Sequence, residues 1–315
     1  MNELAVDPAP HRSIAAVERA TGLSKDTLRV WERRYGFPQP ARDTAGDRAY
    51  PAEQVERLQV IRRLMDAGHR PGGIVALEMR ALQALVAPAV TTKQVERHAT
   101  TSPDLMVFMD LIQCHDAPAL RQLLSQTAAR SGLVNFVTQL VAPLTAAVGE
   151  AWLAGRFQIF EEHIYTESVS RVLRQALSGM TSAPSVGMPR VLLTSFPGEP
   201  HALGLLMVET LLALEGCQCL SLGPQTPIAD IAKAAAAHRA DIVALSFTPV
   251  VSARAVTSGL LELRALLPQT THVWAGGSHP ALKPRAMASG VHVVRALESL
   301  PEQLSLWQQR AHSCG

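Results

Sequence analysis

The sequence predicts a multidomain protein built from an all-α winged helix-turn-helix, an all-α four-helix bundle and a doubly wound, Rossmann-like α/β domain with a five-stranded parallel sheet. Three observations lead there. Residues 11–80 are arginine-rich and helical, broken by the turn-rich insert GFPQPARDTAGDRAYP at 36–51. Residues 100–182 carry apolar positions at helical spacing. Beyond a Pro- and Gly-containing linker at 183–189, short apolar runs alternate with helical segments.

Composition sets the outer limits. The chain has 315 residues, 47% hydrophobic and 18% charged, enough for sizeable cores and too apolar for wholesale disorder. No uninterrupted apolar run reaches the roughly 18–20 residues of a membrane helix, and MNELAVDPAPHR is no secretory leader. The four cysteines, Cys114, Cys217, Cys219 and Cys314, show no C-x-x-C spacing. A reduced, cytoplasmic protein without a disulfide scaffold or thiolate zinc site is therefore expected, with no membrane partner. Net charge is only +2, yet residues 11–80 hold 13 Lys+Arg against 9 Asp+Glu. Such a basic front end suits a polyanion, although charge alone also fits a solvated helical face.

In IAAVERATGLSKDTLRVWERRYGF, Thr21-Gly22 ends one helix and Ser24 caps the next, with Thr27 at its third position. The second helix carries Lys25, Arg29, Arg33 and Arg34, as a major-groove recognition helix would. The insert then forms a wing whose Arg42 and Arg48 reach phosphates. The string L-R-x-W-E-R-R-Y-G, followed by R-x-Y in the wing, resembles MerR-type regulators. That resemblance implies duplex operator DNA as partner. It places Arg29, Arg33, Arg34, Arg42, Arg48 and Tyr50 at or behind the contact, with Trp31 and Tyr35 as packing residues. Asp47 stands where the family more often has His or Gln, and the absence of cysteine from 60–110 argues against metal sensing.

The periodic run Leu133, Val134, Phe136, Val137, Leu140, Val141, Leu144, Val148, Ala151, Trp152 predicts one long helix. With segments 104–114, 116–130 and 160–179 it makes a four-helix bundle, the long helix covering 132–154. In the last region the strands are RVLLTSF (190–196), CQCLSL (217–222), DIVALSF (241–247), THVWAGG (271–277) and VHVV (291–294). Helices are expected at 202–215, 228–238, 252–267, 280–288 and 299–312.

Ligands of such sheets bind beyond the carboxyl ends of the strands. There the first strand is followed by PGEPHALG, which puts Glu199, His201 and Gly204 at that edge. Gly223, Ser246, Thr248, Gly276 and Gly277 close the other strands on the same side, leaving room for a flat ligand. A carboxylate that holds one imidazole nitrogen directs the other at a metal, although an isolated E-x-H-x-x-G more often marks an ordinary loop histidine. No G-x-G-x-x-G follows the first strand, so a dinucleotide site is not expected.

The edge as a whole resembles the cobalamin-binding domain family. Its D-x-H-x-x-G histidine, here His201 with Glu199 in place of Asp, is implied as the lower axial ligand of cobalt. Ser246-Phe247-Thr248 and Gly276-Gly277 match its other elements. In the bundle, Trp152, Glu162 and His163 form W-x9-E-H, similar to the CarH/LitR family of photoreceptor repressors, where it encloses the adenosyl group of adenosylcobalamin. The resemblance therefore covers nearly the whole chain. It implies a light-responsive repressor, not an enzyme, that binds DNA as an oligomer (dimer or tetramer) and releases it when light cleaves the cobalt–carbon bond. Leu153 follows the tryptophan where well-known members have histidine, so after light either water or another residue such as His163 takes the upper cobalt position. Two other readings remain: a light-independent MerR-type regulator sensing cobalamin or another small molecule, and a corrinoid methyl carrier.

Overall fold

A computed structural model describes residues 11–43, 46–86, 103–180, 187–282 and 290–313. It divides into two compact units, one of Met1–Ala99 with Ala151–Arg156 and one of Thr100–Glu150 with Phe157–Gly315.

The first unit opens with β1 (Arg12–Ser13) and α1 (Ile14–Thr21), then α2 (Lys25–Tyr35). Both helices have hydroxyl N-caps and left-handed glycines after them. Ser13 accepts from Ala16 N–H, Ser24 accepts from Thr27 N–H, and Gly22 and Gly36 sit at φ 68° and 69°. The wing is β2 (Ala41–Arg42) paired antiparallel with β3 (Arg48–Tyr50), and β1 adds on the other side to give the order β1-β3-β2. Helices α3 (Ala52–Asp66), α4 (Pro71–Ile74) and α5 (Met79–Val86) follow. Trp31 and Tyr50 join Val17, Leu28, Leu58 and Ile61 in the core, while Tyr35 packs partly buried against it.

In the second unit the bundle helices are α6 (Pro103–Gln113), α7 (Ala117–Ser131), α8 (Leu133–Leu153) and α9 (Ile159–Ser178). By length and composition α8 could cross a membrane, which the search for uninterrupted apolar runs did not anticipate. Here it is a bundle helix that buries Phe136, Val137, Leu140, Val141, Leu144 and Val148. Its π-helical turn, Phe136–Val141, precedes Pro143, and Ala142 N–H reaches back five residues to Val137 O. A proline in a helix lacks the N–H and crowds the carbonyl four residues earlier, so the widened turn relieves that crowding. Buried Tyr165 ties α9 to α8 through Thr145 Oγ1 (2.6 Å) and Val141 O (3.2 Å). Burial pushes the Tyr165 hydroxyl pKa up.

The α/β part contains β4 (Arg190–Thr194), α10 (Leu203–Leu214), β5 (Gln218–Gly223), α11 (Ile228–Ala237), β6 (Ile242–Ser246), α12 (Ala253–Leu266), β7 (His272–Gly276), β8 (Val291–Val293) and α13 (Leu300–Ser313). The expected helix over 280–288 lies largely outside the described residues. All five strands are parallel in the order β5-β4-β6-β7-β8. The chain order reverses between β4 and β6, and a doubly wound sheet opens its ligand crevice at such a switch point. At the opposite, amino-terminal edge the same two strands are clamped by Arg190, whose N–H, Nε and Nη2 all bond to Asp241. Helices α11 and α12 bury Ile231, Val256, Leu260 and Leu263 on Leu192, Val243, Leu245 and Val273.

Cys217 is buried, which pushes its thiol up to about 12 and keeps it an unreactive packing residue. Cys114 and Cys219 are likewise free thiols, and Cys314 lies outside the described residues.

Gly259, inside α12, shows which of two opposing effects wins. Alanine is favoured over glycine in a helix by about 1 kcal/mol. A Cβ at 259, however, would stand 2.6 Å from Phe196 Cε2 and 3.1 Å from Ile228 Cδ1. Phe196 is buried edge-on against Phe247 at 5.1 Å and has little room to yield. Overpacking of this kind costs about 1–3 kcal/mol. Gly259→Ala is therefore expected to lower the urea midpoint of unfolding; a raised midpoint would show that helix propensity wins.

Candidate functional site

The switch point is occupied by the loops that leave β4 and β6. Glu199, on the first loop, is fully buried. Among the described residues no lysine or arginine pairs with it, and a buried carboxylate without a counter-charge must be satisfied by hydrogen bonds. Its Oε1 accepts from His201 N–H (3.1 Å) and faces His201 Nδ1 at 2.7 Å. Its Oε2 accepts from Thr248 N–H (2.5 Å) and Thr248 Oγ1 (2.8 Å). One carboxylate thus joins the β4 loop to the β6 loop. Burial alone would raise the Glu199 pKa, but the bonds from His201 and Thr248 outweigh it and hold the group below the usual glutamate range. An ionised partner at 2.7 Å puts a proton on Nδ1, so in the neutral ring the lone pair is on Nε2. The His201 side chain is half-exposed. This donor set suits a metal that takes one imidazole and brings its other ligands with it, and no group of three or more His, Cys, Asp or Glu is gathered for a metal among the described residues.

Three of the four glycines of this edge, Gly204, Gly276 and Gly277, sit where a Cβ would crowd a neighbour. A Cβ on Gly204 would meet Ser246 Oγ at 3.0 Å, so its absence lets α10 come down onto the end of β6. At Gly277, φ is 107° and a Cβ would stand 2.2 Å from Phe247 O. A Cβ on Gly276 would meet Val294 O at 3.3 Å, and Gly223 serves a left-handed backbone at φ 75° with open space around it.

Sequence reasoning missed several members of the edge. Thr194 Oγ1 donates to Gly223 O (2.7 Å) and contacts Thr226 Oγ1 (2.8 Å). Ser195 Oγ donates to Glu199 O (2.7 Å) and accepts from Gln225 N–H (3.0 Å). Buried His279 donates from Nε2 to Val251 O (2.9 Å) and accepts from Ala281 N–H at Nδ1 (3.0 Å), pinning the β7 loop to the β6 loop. The string G-G-S-H-P was the available signal for His279, whereas Thr194 and Ser195 read as ordinary strand residues.

In the bundle, Glu162 Oε1 accepts from Thr166 Oγ1 (2.7 Å), and His163 Nε2 lies 3.6 Å from Glu162 Oε2. The His163 side chain is largely exposed, and Trp152 and Leu153, half-buried, end α8.

Of the candidate DNA residues, Arg29, Arg33, Arg34 and Arg42 are exposed and Lys25 is half-buried. Arg29 pairs with Asp26 (3.1 Å), Lys25 lies 3.8 Å from Glu18, and Arg42 donates to Gly46 O (2.8 Å). Arg48 Nε donates to Glu32 Oε2 at 2.9 Å, which raises its pKa and braces the wing against α2. Tyr50 is fully buried, its hydroxyl pKa raised by burial.

Comparison with known proteins follows this geometry closely. Residues 12–79 match the family described as MerR HTH family regulatory protein, and residues 108–176 and 189–301 each match a B12 binding domain. The HTH-type transcriptional repressor CarH of Myxococcus xanthus is 32% identical over 285 residues, covering 88% of this chain and 92% of that one. The chain belongs to the CarH family. The HTH-type transcriptional repressor CarA of the same organism is 28% identical, covering 94% of this chain and 96% of its own. Among solved structures, the monomethylamine corrinoid protein of Methanosarcina barkeri shares the fold of 63% of the chain, with a TM-score of 0.51 at 16% identity. This CarH-family chain is thus a cobalamin-binding, DNA-binding transcriptional regulator, with a helical MerR domain, a helical bundle and a parallel α/β sheet.

The Glu199 network carries a pH signature. A depressed folded-state pKa gives stability that is fully present above the unfolded-state value of about 4.3 and is lost as pH falls through the folded value. Glu199→Gln is expected to cost about 1–3 kcal/mol at pH 7, with the gap to wild type closing as pH falls below about 4. Urea titrations at both pH values check this; a gap undiminished in acid would refute it.

Proposed function

We propose that this chain is a light-responsive transcriptional repressor of the cytoplasm that uses adenosylcobalamin as chromophore and grips its operator as an oligomer. The observation that supports it most is the Glu199–His201–Thr248 network at the switch point of the sheet, on a chain that also carries a MerR winged helix-turn-helix. In this reading residues 11–80 bind DNA, 100–182 cap the cofactor and 189–312 hold it.

Glu199 fixes the His201 ring so that Nε2 would be the nitrogen offered to the cobalt of the bound corrinoid. Gly204, Gly223, Ser246, Thr248, Gly276 and Gly277 shape the wall for the corrinoid and its nucleotide tail. Trp152, Glu162 and His163 cover the adenosyl side, Trp152 by stacking and the other two by hydrogen bonding. When bound, adenosylcobalamin supplies visible absorption and a photolabile cobalt–carbon bond. The protein supplies two arrangements of the bundle, and loss of the adenosyl contacts shifts the balance between them, lowering the avidity of the assembly for DNA. Leu153 has no donor atom for cobalt, so His163 is the side chain of this capping set that can offer a nitrogen after light. The MerR-type module disfavours a methyl carrier, which has no use for operator contacts.

The deciding experiment measures operator binding in the dark and after illumination, with adenosylcobalamin, methylcobalamin and no cofactor. Dark adenosylcobalamin should give the tightest binding and light should abolish the gain. No light effect would favour a light-independent sensor. In the same preparation His201→Ala should weaken cofactor retention and remove the nitrogen-ligated absorption spectrum; an unchanged spectrum would overturn the assignment of His201.

On the DNA side, Arg29→Ala should cost about 1–3 kcal/mol in operator affinity and relax specificity at one position. Arg48→Ala should weaken binding more evenly, because it loses a phosphate contact and the brace to Glu32. Operator affinity unchanged in both variants, with folding intact, would refute the assignment.

A further inference from the structure

The first turn of α9, which carries Glu162 and His163, is anchored by a pair outside the proposed site. Glu161 closes the capping box of α9, its Oε2 accepting from Gln158 N–H at 2.6 Å. Such a box needs one carboxylate oxygen and is usually solvent-exposed. Here Glu161 is buried, and its Oε1 lies 3.1 Å from Nε2 of His115 in the turn between α6 and α7. A buried carboxylate needs its second oxygen satisfied, and His115 is the side chain that does so. That turn holds His115 at φ 60°, a left-handed conformation that a non-glycine residue adopts at a cost of about 1 kcal/mol. The His115 ring also stands edge-on to Phe160, with centroids 4.9 Å apart. Phe160 and His163 line one shallow groove on the bundle with Ile164, Arg121 and Arg171. The turn that bears the proposed adenosyl-facing pair is therefore held through both residues preceding it.

We infer that His115 is a positioning residue for the upper side of the cofactor, acting through Glu161. Successive residues of a helix are rotated by about 100°, so fixing Glu161 inward fixes the directions of Glu162 and His163. Without the tether the helix still forms, because Gln158 and Glu161 retain their capping box, but its first turn is free to rotate and fray. The inference rests on the reading that Glu162 and His163 face the adenosyl group.

The test uses the full chain in the dark and compares affinity for adenosylcobalamin with that for hydroxocobalamin, which lacks the adenosyl group. His115→Phe keeps the ring packed on Phe160 and removes the donor; His115→Gln keeps a donor for Glu161. His115→Phe should weaken adenosylcobalamin binding about tenfold, the scale of losing an outer-shell partner, with hydroxocobalamin changed less than twofold. His115→Gln should restore most of the loss. Equal weakening toward both cobalamins would reduce His115 to a structural residue, and wild-type affinity in His115→Phe would overturn the inference outright. If the wild-type protein itself does not prefer adenosylcobalamin, the assignment of Glu162 and His163 fails, and the positioning role fails with it.

Discussion

One buried carboxylate holds the proposed cofactor edge together. Glu199 has no cationic side chain beside it among the described residues, so its charge is tolerated only because backbone and side-chain donors from two loops converge on it. The consequence runs both ways. Those donors keep the group ionised, and the ionised group dictates the tautomer and orientation of His201. An apolar residue at 199 would remove the acceptor of Thr248 N–H and leave the two loops joined more weakly, through Thr248 Oγ1 and His201 Nδ1 at 3.2 Å. The network spans the point where strand order reverses, and it joins the loops that leave two strands already paired as neighbours in the sheet.

Around that network, missing side chains matter as much as present ones. Gly204, Gly259 and Gly277 each sit where a Cβ would collide with a neighbouring strand end, ring or backbone carbonyl. Each brings two segments closer than any other residue would allow, and two of them bear directly on residues 246 and 247. The hydroxyls of Thr194 and Ser195 do the complementary work from inside, bonding the β4 loop to the β5 loop. A rigid edge of this kind suits a sensor that has to hold a large flat cofactor while a different part of the protein moves.

The DNA-facing module divides its arginines by role. Arg29, Arg33 and Arg34 project from a helix whose other face is locked by Leu28 and Trp31 in the core. Arg48 is spent partly inside the protein, on Glu32, and so fixes the angle between wing and helix. In the proposed reading affinity and geometry fall to different side chains, and a change in how many such modules act together would loosen the grip on DNA with each module left intact.

The sequence by itself determined the elements and their order. Helical and strand periodicities, the Ser24 cap, the glycine stops and the Pro/Gly-rich breaks are local signals, which is why bundle helices and strands fall within a few residues of expectation. The edge residues Glu199, His201 and Thr248 were legible too, because parallel strands alternating with helices put every strand-end loop on one side. What the tertiary structure alone decided are the partnerships across long stretches of chain. Tyr50 reads as a wing residue and is fully buried, Gly204 and Gly277 read as space for a ligand and also allow close packing, and His279 becomes a staple between loops. Glu161, unremarked in the sequence, closes a local helix cap and is also bonded to a histidine 46 residues away. Local propensity acts over a turn or two of chain, whereas burial and the need to satisfy every buried polar atom arise only when distant segments meet.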